Sequence, residues 1–126
     1  MIARPLTDRL AARRRGIHSE RLAELVLRLK LFRILARNYR VRGGEIDLIA
    51  QRGKLIVFVE VKARGRLIDG MESVDAHKQR RITRAAHRWI ATHPEAASCS
   101  FRADGLFVVP RRWPCHVPAL FELGLD

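Results

Sequence analysis

The sequence has few acidic residues for its length, and this shortage narrows the class of partner. Its 126 residues include 13 Asp plus Glu against 25 Lys plus Arg, which gives a formal net charge of +12. Such an excess indicates a polyanionic partner, which is nucleic acid, an anionic membrane surface or an acidic protein. Aromatic residues are also scarce, at 6%. This argues against a single-strand binder that stacks bases on aromatic rings.

Long apolar runs are missing as well. The longest strongly apolar stretch, Leu55 to Val59, is far too short to span a membrane. Residues 1–16 carry arginines without the apolar segment of a secretory signal. We therefore expect a cytoplasmic protein with no membrane partner.

Cysteine is rare, which limits redox and metal chemistry. Cys99 and Cys115 show neither CxxC spacing nor a disulfide framework, so buried or incidental thiols are expected. The histidines match no zinc-binding spacing; they stand at positions 18, 77, 87, 93 and 116. The sequence predicts no structural zinc site.

The positive charge is concentrated toward the N-terminus. We predict a basic N-terminal arm over residues 1–15 and one domain over residues 16–126, since a chain with 48% hydrophobic residues can bury one core but hardly two. The run Arg13 to Arg15 fits either an arm that binds nucleic acid or a solvated, frayed end.

Apolar periodicity predicts a mixed sheet with helices packed on it, an α/β fold. The first helix has Leu22, Leu25, Val26 and Leu29 at helical spacing, and the second ends before Pro94. The predicted elements are, in chain order, a helix over Ser19–Leu31, strands over Phe32–Tyr39, Glu45–Ala50 and Leu55–Lys62, a helix over Ser73–Thr92, a strand over Phe101–Val109 and a short strand near Ala119–Leu123.

Two polar features of these helices leave alternatives open. Glu20 lies at the edge of the apolar stripe of the first helix, so it either faces a cleft or is an exposed glutamate favoured by the helix dipole. Lys78 and Gln79 occupy the N-terminal end of the buried stripe of the second helix. They either reach solvent or point toward a charged group.

The register of a hairpin brings two acids together. With Gly53 as the first residue of a two-residue II′ turn, the register pairs Asp47 directly with Glu60. Lys62, two residues beyond Glu60, projects from the same face. Leu55 to Val59 is apolar at every position, as expected for a strand covered on both faces, so Glu60 should be partly buried.

Two adjacent, partly buried carboxylates usually need a cation or a shared proton. Mg²⁺ (or Mn²⁺) suits Asp47 and Glu60 with the carbonyl of Val61 as a further ligand and substrate phosphate completing the octahedron. Lys62 would then orient or deprotonate the attacking water and balance phosphate charge. The competing interpretation is a simple ion pair between Lys62 and one of the acids, with no catalysis.

Two segments carry a resemblance to a known family. GEIDLIA at residues 44–50 and VFVEVKAR at residues 57–64 resemble the signature of the YraN-like family of bacterial proteins, which is similar to archaeal Holliday-junction resolvases and to the restriction-endonuclease-like PD-(D/E)xK superfamily. The similarity extends over most of residues 16–109. It implies a restriction-endonuclease-like α/β sandwich with a central mixed sheet flanked by helices.

The resemblance also implies roles for individual residues. The first helix would supply Glu20, and a metal site would come from Asp47, Glu60 and Lys62. In related nucleases a glutamine or lysine on the following helix approaches the site, which by position is Lys78 or Gln79; we take Gln79 as the catalytic candidate. The sequence departs from the pattern at Ile46, which replaces the superfamily proline, and at His18-Ser19, where the family often has glycine.

Three functions are compatible with these features. The first is a metal-dependent DNA endonuclease, whose phosphate contacts would include Arg64, Arg66, Arg80, Arg81 and Arg84. The second is a non-catalytic DNA- or RNA-binding module that keeps the nuclease fold. The third is an adaptor whose basic face meets an acidic protein. Resolvase-like relatives act as dimers, so a homodimer is an open alternative for this chain.

Overall fold

The computed structural model describes residues 6–124, without side chains for residues 6–9 and 11–15. The arginine side chains of the predicted basic arm, and its first five residues, therefore lie outside the described residues. Within residues 6–124, no helix is both long and apolar enough to cross a membrane. The elements are α1 (Leu6–Leu29), β1 (Arg33–Val41), β2 (Gly44–Arg52), β3 (Leu55–Ala63), α2 (Leu67–Glu72), α3 (Ala76–Ala91), a 3₁₀ turn (Pro94–Ala96), β4 (Ser100–Val108) and β5 (Cys115–Phe121).

The strands form one mixed sheet in the order β1-β2-β3-β4-β5. Strands β1 to β3 are antiparallel neighbours, β3 and β4 are parallel, and β5 returns antiparallel to β4. A parallel pair needs a crossover connection, which α2 and α3 provide. Helices cover both faces, so the predicted α/β class is confirmed, and the architecture is consistent with the restriction-endonuclease-like sandwich that the resemblance implies.

Helix α3 covers one face of the sheet with the predicted apolar stripe. Its first turn is capped by Asp75, whose carboxylate accepts a hydrogen bond from the Lys78 backbone N–H at 2.9 Å. The helix lies so close to β2 that a Cβ atom on Gly44 would collide with the Arg81 carbonyl oxygen. This contact holds the N-terminal end of α3 over the start of β2. The buried stripe consists of Ile82, Ala85, Ala86 and Trp89.

Helix α1 covers the opposite face, but with a different stripe from the predicted one. Its buried residues are Ala23, Val26 and Leu27, whereas Leu25 and Leu29 are 48% and 62% exposed. The predicted stripe was therefore right at Val26 and wrong at Leu25 and Leu29, because apolar residues occupy two overlapping faces of this helix and packing against the sheet selects one. The helix also begins at Leu6, earlier than the predicted Ser19.

The hairpin between β2 and β3 has the predicted register near its turn. Arg52 pairs with Leu55, and Leu48 pairs with Val59. Gly53 has a φ of 60°, as the first residue of a II′ turn requires. Strand β3 is buried on both faces, between the layers of α1 and α3.

A buried ionic cluster fastens β5 to β4. Asp104 is buried, with 1% of the residue exposed. Its carboxylate accepts two hydrogen bonds from Arg102, at 2.8 and 2.9 Å, one from His116 at 2.8 Å and one from the Ala119 backbone N–H at 3.0 Å. Burial would raise the pKa of Asp104, but these hydrogen bonds lower it to about 2. The Asp104 carboxylate thus stays ionised, and the cluster ties the last strand to the sheet.

Strand β5 lies earlier in the chain than the predicted short strand near Ala119–Leu123. It runs over Cys115–Phe121 and contains Pro118, which interrupts the apolar pattern. Proline is tolerated there because β5 is an edge strand, where the missing N–H would face solvent. Helix α2 was not predicted, since a six-residue helix is too short to show a period.

Candidate metal centre

The candidate site lies where β2 and β3 separate. Their paired register ends at Leu48 and Val59, one pair short of the predicted pairing of Asp47 with Glu60. At that point the Asp47 side chain accepts a hydrogen bond from the Val61 backbone N–H at 2.8 Å. The carboxylate satisfies this N–H without a backbone partner on β2. The strands fork there, and both acids line one cavity.

Glu60 is the most buried acid of the site. The residue is 2% exposed, and its Oε1 atom lies 3.3 Å from Lys62 Nζ and 3.4 Å from Lys78 Nζ. Its other oxygen, Oε2, is buried and has no hydrogen-bond partner among the described residues. Burying a carboxylate oxygen without a partner is costly. The arrangement therefore has one neutralised oxygen and one oxygen that lacks a ligand.

The predicted acids and lysine come together in a cavity of about 490 Å³. Lys62 projects from the same side as Glu60, as predicted from strand alternation. Val61, whose carbonyl was predicted as a ligand, lines the same cavity. The lining residues are Gly16, Ser19, Glu20, Asn38, Arg40, Glu45, Ile46, Asp47, Glu60, Val61, Lys62, Ala63, Arg64 and Lys78.

Glu20 belongs to this cavity, which decides between the two interpretations of its position. The buried face of α1 is centred on Ala23 and Leu27, so one turn earlier it continues through Ser19 and Glu20. Ser19 is 5% exposed, and Glu20 is half-buried in the cavity wall. Burial raises the pKa of Glu20, and the nearby Asp47 charge raises it further.

On α3, Lys78 reaches the site and Gln79 does not. Lys78 Nζ bridges Glu60 and Glu45, at 3.3 Å from the Glu45 Oε1 atom. The Gln79 side chain donates to the Val74 carbonyl at 3.0 Å and lines a separate groove on the outside of α3. Successive helical residues point about 100° apart, so only one of the two can face the cavity. The candidate role for Gln79 has no contact with the site to support it.

The charges of the cavity act strongly on each other. Burial, and after it the charge of Asp47, raise the pKa of Glu60 to about 7 against the opposing effect of Lys78 and Lys62. Burial also raises the pKa of Asp47, against the hydrogen bond from Val61. Burial would lower the pKa of Lys78, but the surrounding carboxylates raise it, so this amine stays protonated.

These shifts predict an unusual dependence of stability on pH. Without a divalent ion, the melting temperature should fall by about 5 °C between about pH 5 and pH 8. The pKa of Glu60 rises from 4.5 to about 7 on folding, so its stabilising contribution is complete below the lower value and is lost as the pH rises through the upper one. Asp47, whose pKa is also raised, acts with the same sign.

The Glu60→Gln variant should lose most of this pH dependence, because it cannot ionise at that position. If the site takes a divalent ion, millimolar Mg²⁺ should raise the melting temperature of the wild type at pH 8, since a ligand that binds only the folded state stabilises it. Glu72→Gln, a change at an exposed glutamate of α2, is the matched control and should behave as the wild type. A melting temperature that rises with pH in the absence of metal would contradict the raised pKa values.

The side chains of the cavity meet part of the ligand requirement of a hard divalent ion. Within residues 6–124, no three His, Cys, Asp or Glu side chains form a group that could hold a metal ion by themselves. Mg²⁺ usually takes only one or two carboxylates and keeps water or substrate phosphate on its other positions. Glu60, whose Oε2 has no partner among the described residues, lines the same cavity as Asp47, and this matches that smaller requirement.

Some members of the site were not predicted from the sequence. Glu45 joins the network through Lys78, and Arg40 approaches it at 3.8 Å. A signal for Glu45 exists, because it is two residues before Asp47 on the same strand. Arg40 carries no comparable signal. Arg66, predicted to hold a phosphate, instead binds Asp69 with two hydrogen bonds of 3.0 Å.

A mixed sheet flanked by helices, with two acids and two lysines at a fork between strands, defines an α/β protein consistent with the restriction-endonuclease-like class. Sequence comparison gives the family. Residues 19–109 match Uncharacterised protein family UPF0102, and the chain belongs to this family, the YraN family, as the resemblance predicted.

Similar proteins match nearly the whole chain. The UPF0102 protein of Methylorubrum extorquens is 52% identical over 121 residues, which cover 96% of this chain and 94% of the relative. That of Methylocella silvestris is 52% identical over 120 residues, covering 95% and 97%. That of Mesorhizobium japonicum is 49% identical over 121 residues, covering 96% and 97%. These names state no activity, so function has to be argued from the site.

Proposed function

We propose that this protein is a metal-dependent endonuclease that hydrolyses phosphodiester bonds of DNA in the cytoplasm. The observation that carries the proposal is the buried Oε2 atom of Glu60, which has no partner among the described residues and lies in a cavity with Asp47 and two lysines. A purely structural ion pair would leave no reason to bury this oxygen unsatisfied. A Mg²⁺ or Mn²⁺ ion would supply the missing interaction.

A bound ion would polarise the scissile phosphate and the attacking water. Glu60 and Asp47 would hold it, with Val61 at the carbonyl position predicted from the sequence. Lys62 lies against Glu60 and can donate to the reacting phosphate or to the water. As the water oxygen bonds to phosphorus it gives up a proton to Glu20 or to solvent, and the ester oxygen departs with the electron pair of the broken P–O bond and takes up a proton from solvent. Glu20, whose pKa is raised, can exchange a proton in the same cavity.

The charges around the cavity favour a phosphate backbone as substrate. Arg40 and Arg64 line it beside the lysines, and the whole chain carries +12. Arg80 and Arg84 line the groove on the outside of α3 and would extend contact with phosphates. Such contacts position a nucleic acid without reading its sequence. We propose DNA rather than RNA as the substrate, because the nuclease families that the sequence resembles act on DNA.

A cleavage assay tests this function. Branched, duplex and single-stranded DNA are incubated with the protein and Mg²⁺ or Mn²⁺, beside the Asp47→Ala variant prepared in parallel. Cleavage by the wild type that is lost on chelation and in the variant is the expected result. Cleavage that persists in Asp47→Ala would show a contaminant or a different site.

The second candidate is a non-catalytic nucleic-acid-binding module. The ion pairs from Lys62 and Lys78 to the same Glu60 oxygen favour it, since they already offset part of the buried charge. Binding without cleavage on every substrate would select this alternative. In both cases log affinity should fall with log salt at a slope of about −0.9 per phosphate neutralised on duplex DNA. Absence of binding at low salt would favour the protein-binding adaptor.

A further inference from the structure

A second cavity of about 550 Å³ adjoins the candidate metal centre. The two cavities share Ser19, Ala63 and Arg64 in their walls. The volume lies within the range of about 300–1,000 Å³ that is typical of sites for small organic groups. A group attached to a substrate in the first cavity would therefore lie next to the second.

The second cavity lies at the carboxyl ends of the parallel strands β3 and β4. The Arg64 backbone N–H donates to the Val108 carbonyl at 3.2 Å, which holds the two strand ends together. Beyond this bond the chain leads from β3 to α2 and from β4 to β5, and His18 and Ser19 of α1 line the cavity. Ligands of open α/β sheets commonly bind in the crevice outside the carboxyl ends of strands.

The walls of the two cavities differ in chemistry. The metal centre is lined mainly by charged groups, whereas the second cavity is walled by Ala63, Gly65, Val108 and Pro110. Its polar lining residues are exposed His18 and Arg64 and buried Ser19. The occupant should thus have an apolar, polarisable body and an attached anionic group near Arg64. A phosphate or a metal ion alone does not match the apolar walls.

We propose that this cavity receives an unpaired nucleobase of the DNA whose phosphate occupies the metal centre. The inference rests on the proposed function and adds a substrate class to it. A base in continuous duplex is stacked and paired, and removing it costs a few kcal/mol. An unpaired nucleotide at a fork, flap or branch avoids most of that cost. The preferred substrate therefore has an unpaired nucleotide beside the scissile phosphate.

A second copy of the chain is a weaker occupant. Each copy carries +12, so bringing a second basic surface against Arg64 and His18 is unfavourable. A nucleotide has both an apolar base, which suits the cavity walls, and a negatively charged phosphate, which suits Arg64 and His18. Self-association through the cavity is therefore disfavoured.

Equilibrium binding without divalent ion tests the inference separately from catalysis. Two end-labelled DNA forks are compared by fluorescence anisotropy. One carries an unpaired thymidine at the junction, and the other carries an abasic tetrahydrofuran residue there. The wild type should bind the thymidine fork about tenfold more tightly, because only that fork places apolar surface in the cavity. Equal dissociation constants for the wild type would overturn the proposal without any variant being needed.

Gly65→Phe places a ring at the cavity wall and supplies the second comparison. Gly65 lines the cavity, and a Cβ atom there would meet no atom within 4 Å, so this position has room for a side chain. The ratio of the two dissociation constants should fall to about one in this variant. Ala97→Phe adds the same ring at an exposed position just before β4, at the far end of that strand, and should keep the tenfold ratio.

The remaining outcomes have distinct meanings. If neither fork binds at low salt, the nucleic-acid function itself fails, which differs from equal binding of both forks. If sedimentation shows that Gly65→Phe changes the oligomeric state of the free protein, the cavity holds a second copy and the nucleobase proposal is overturned.

Discussion

Cleavage of DNA by the Glu60→Gln variant is expected to be about 10³-fold slower than cleavage by the wild type. A metal ion contributes several kcal/mol of charge stabilisation to such reactions, and about 4 kcal/mol corresponds to this factor. Glutamine keeps the size of the buried side chain but replaces one oxygen of the carboxylate with a nitrogen that cannot bind a cation. The remaining oxygen should stay beside the two lysines at the Oε1 position, so the nitrogen replaces Oε2, which is the proposed metal ligand and has no partner among the described residues.

Single-turnover rates at saturating Mg²⁺ measure this effect. Glu72→Gln, the same chemical change at an exposed residue, should cleave at the wild-type rate. A melting curve of Glu60→Gln shows whether the fold is retained. Wild-type activity in a folded Glu60→Gln protein would place the hydrolytic centre elsewhere.

The Lys62→Met variant should cleave about 10²- to 10⁴-fold more slowly, the usual cost of removing a group that transfers or holds a proton in the transition state. Lys78→Met should cost less, about 10- to 100-fold, as is typical of groups that orient a metal ligand. The two amines lie at 3.3 and 3.4 Å from the same Glu60 oxygen, so distance does not distinguish them. Their other contacts do, because Lys78 is also bound to Glu45 on the α3 side.

The comparison uses rates measured across a range of Mg²⁺ concentrations. Lys78→Met should shift the Mg²⁺ requirement more than the maximal rate, and Lys62→Met should do the reverse. Lys54→Met, which removes one exposed amine at the tip of the β2-β3 hairpin, controls for the loss of positive charge. A greater loss of maximal rate in Lys78→Met than in Lys62→Met would exchange the two roles.

The parts of the fold that follow local rules were predictable. Gly53 fixed a two-residue turn, and the register of the hairpin followed from it up to Leu48 and Val59. Helix α3 has one clear apolar face, so its position was predicted within a few residues. Helix α1 was less predictable, because its apolar residues cover two faces and only contact with the sheet buries Ala23 rather than Leu25.

The site was predictable where strand alternation applies and unpredictable where it stops. Glu60 and Lys62 share a strand, and their shared face followed from a period of two. The fork at Asp47 breaks that rule, since its side chain binds the Val61 N–H in place of a regular ladder. The choice of Lys78 over Gln79 depends on the rotation of α3 about its axis, which the contact at Gly44 fixes.

Strand β5, which contains Pro118, has a consequence for how copies of this protein meet. Ala119 beside it has a φ of 51°, and its N–H is already taken by Asp104, so this margin of the sheet offers no regular row of donors. At the other margin, β1 has an irregular register between Ile34 and Ala36. Both margins thus carry irregularities of the kind that disfavour edge-to-edge pairing of strands and fibrillar stacking. A homodimer formed through helices or loops would leave the sheet five strands wide in each copy.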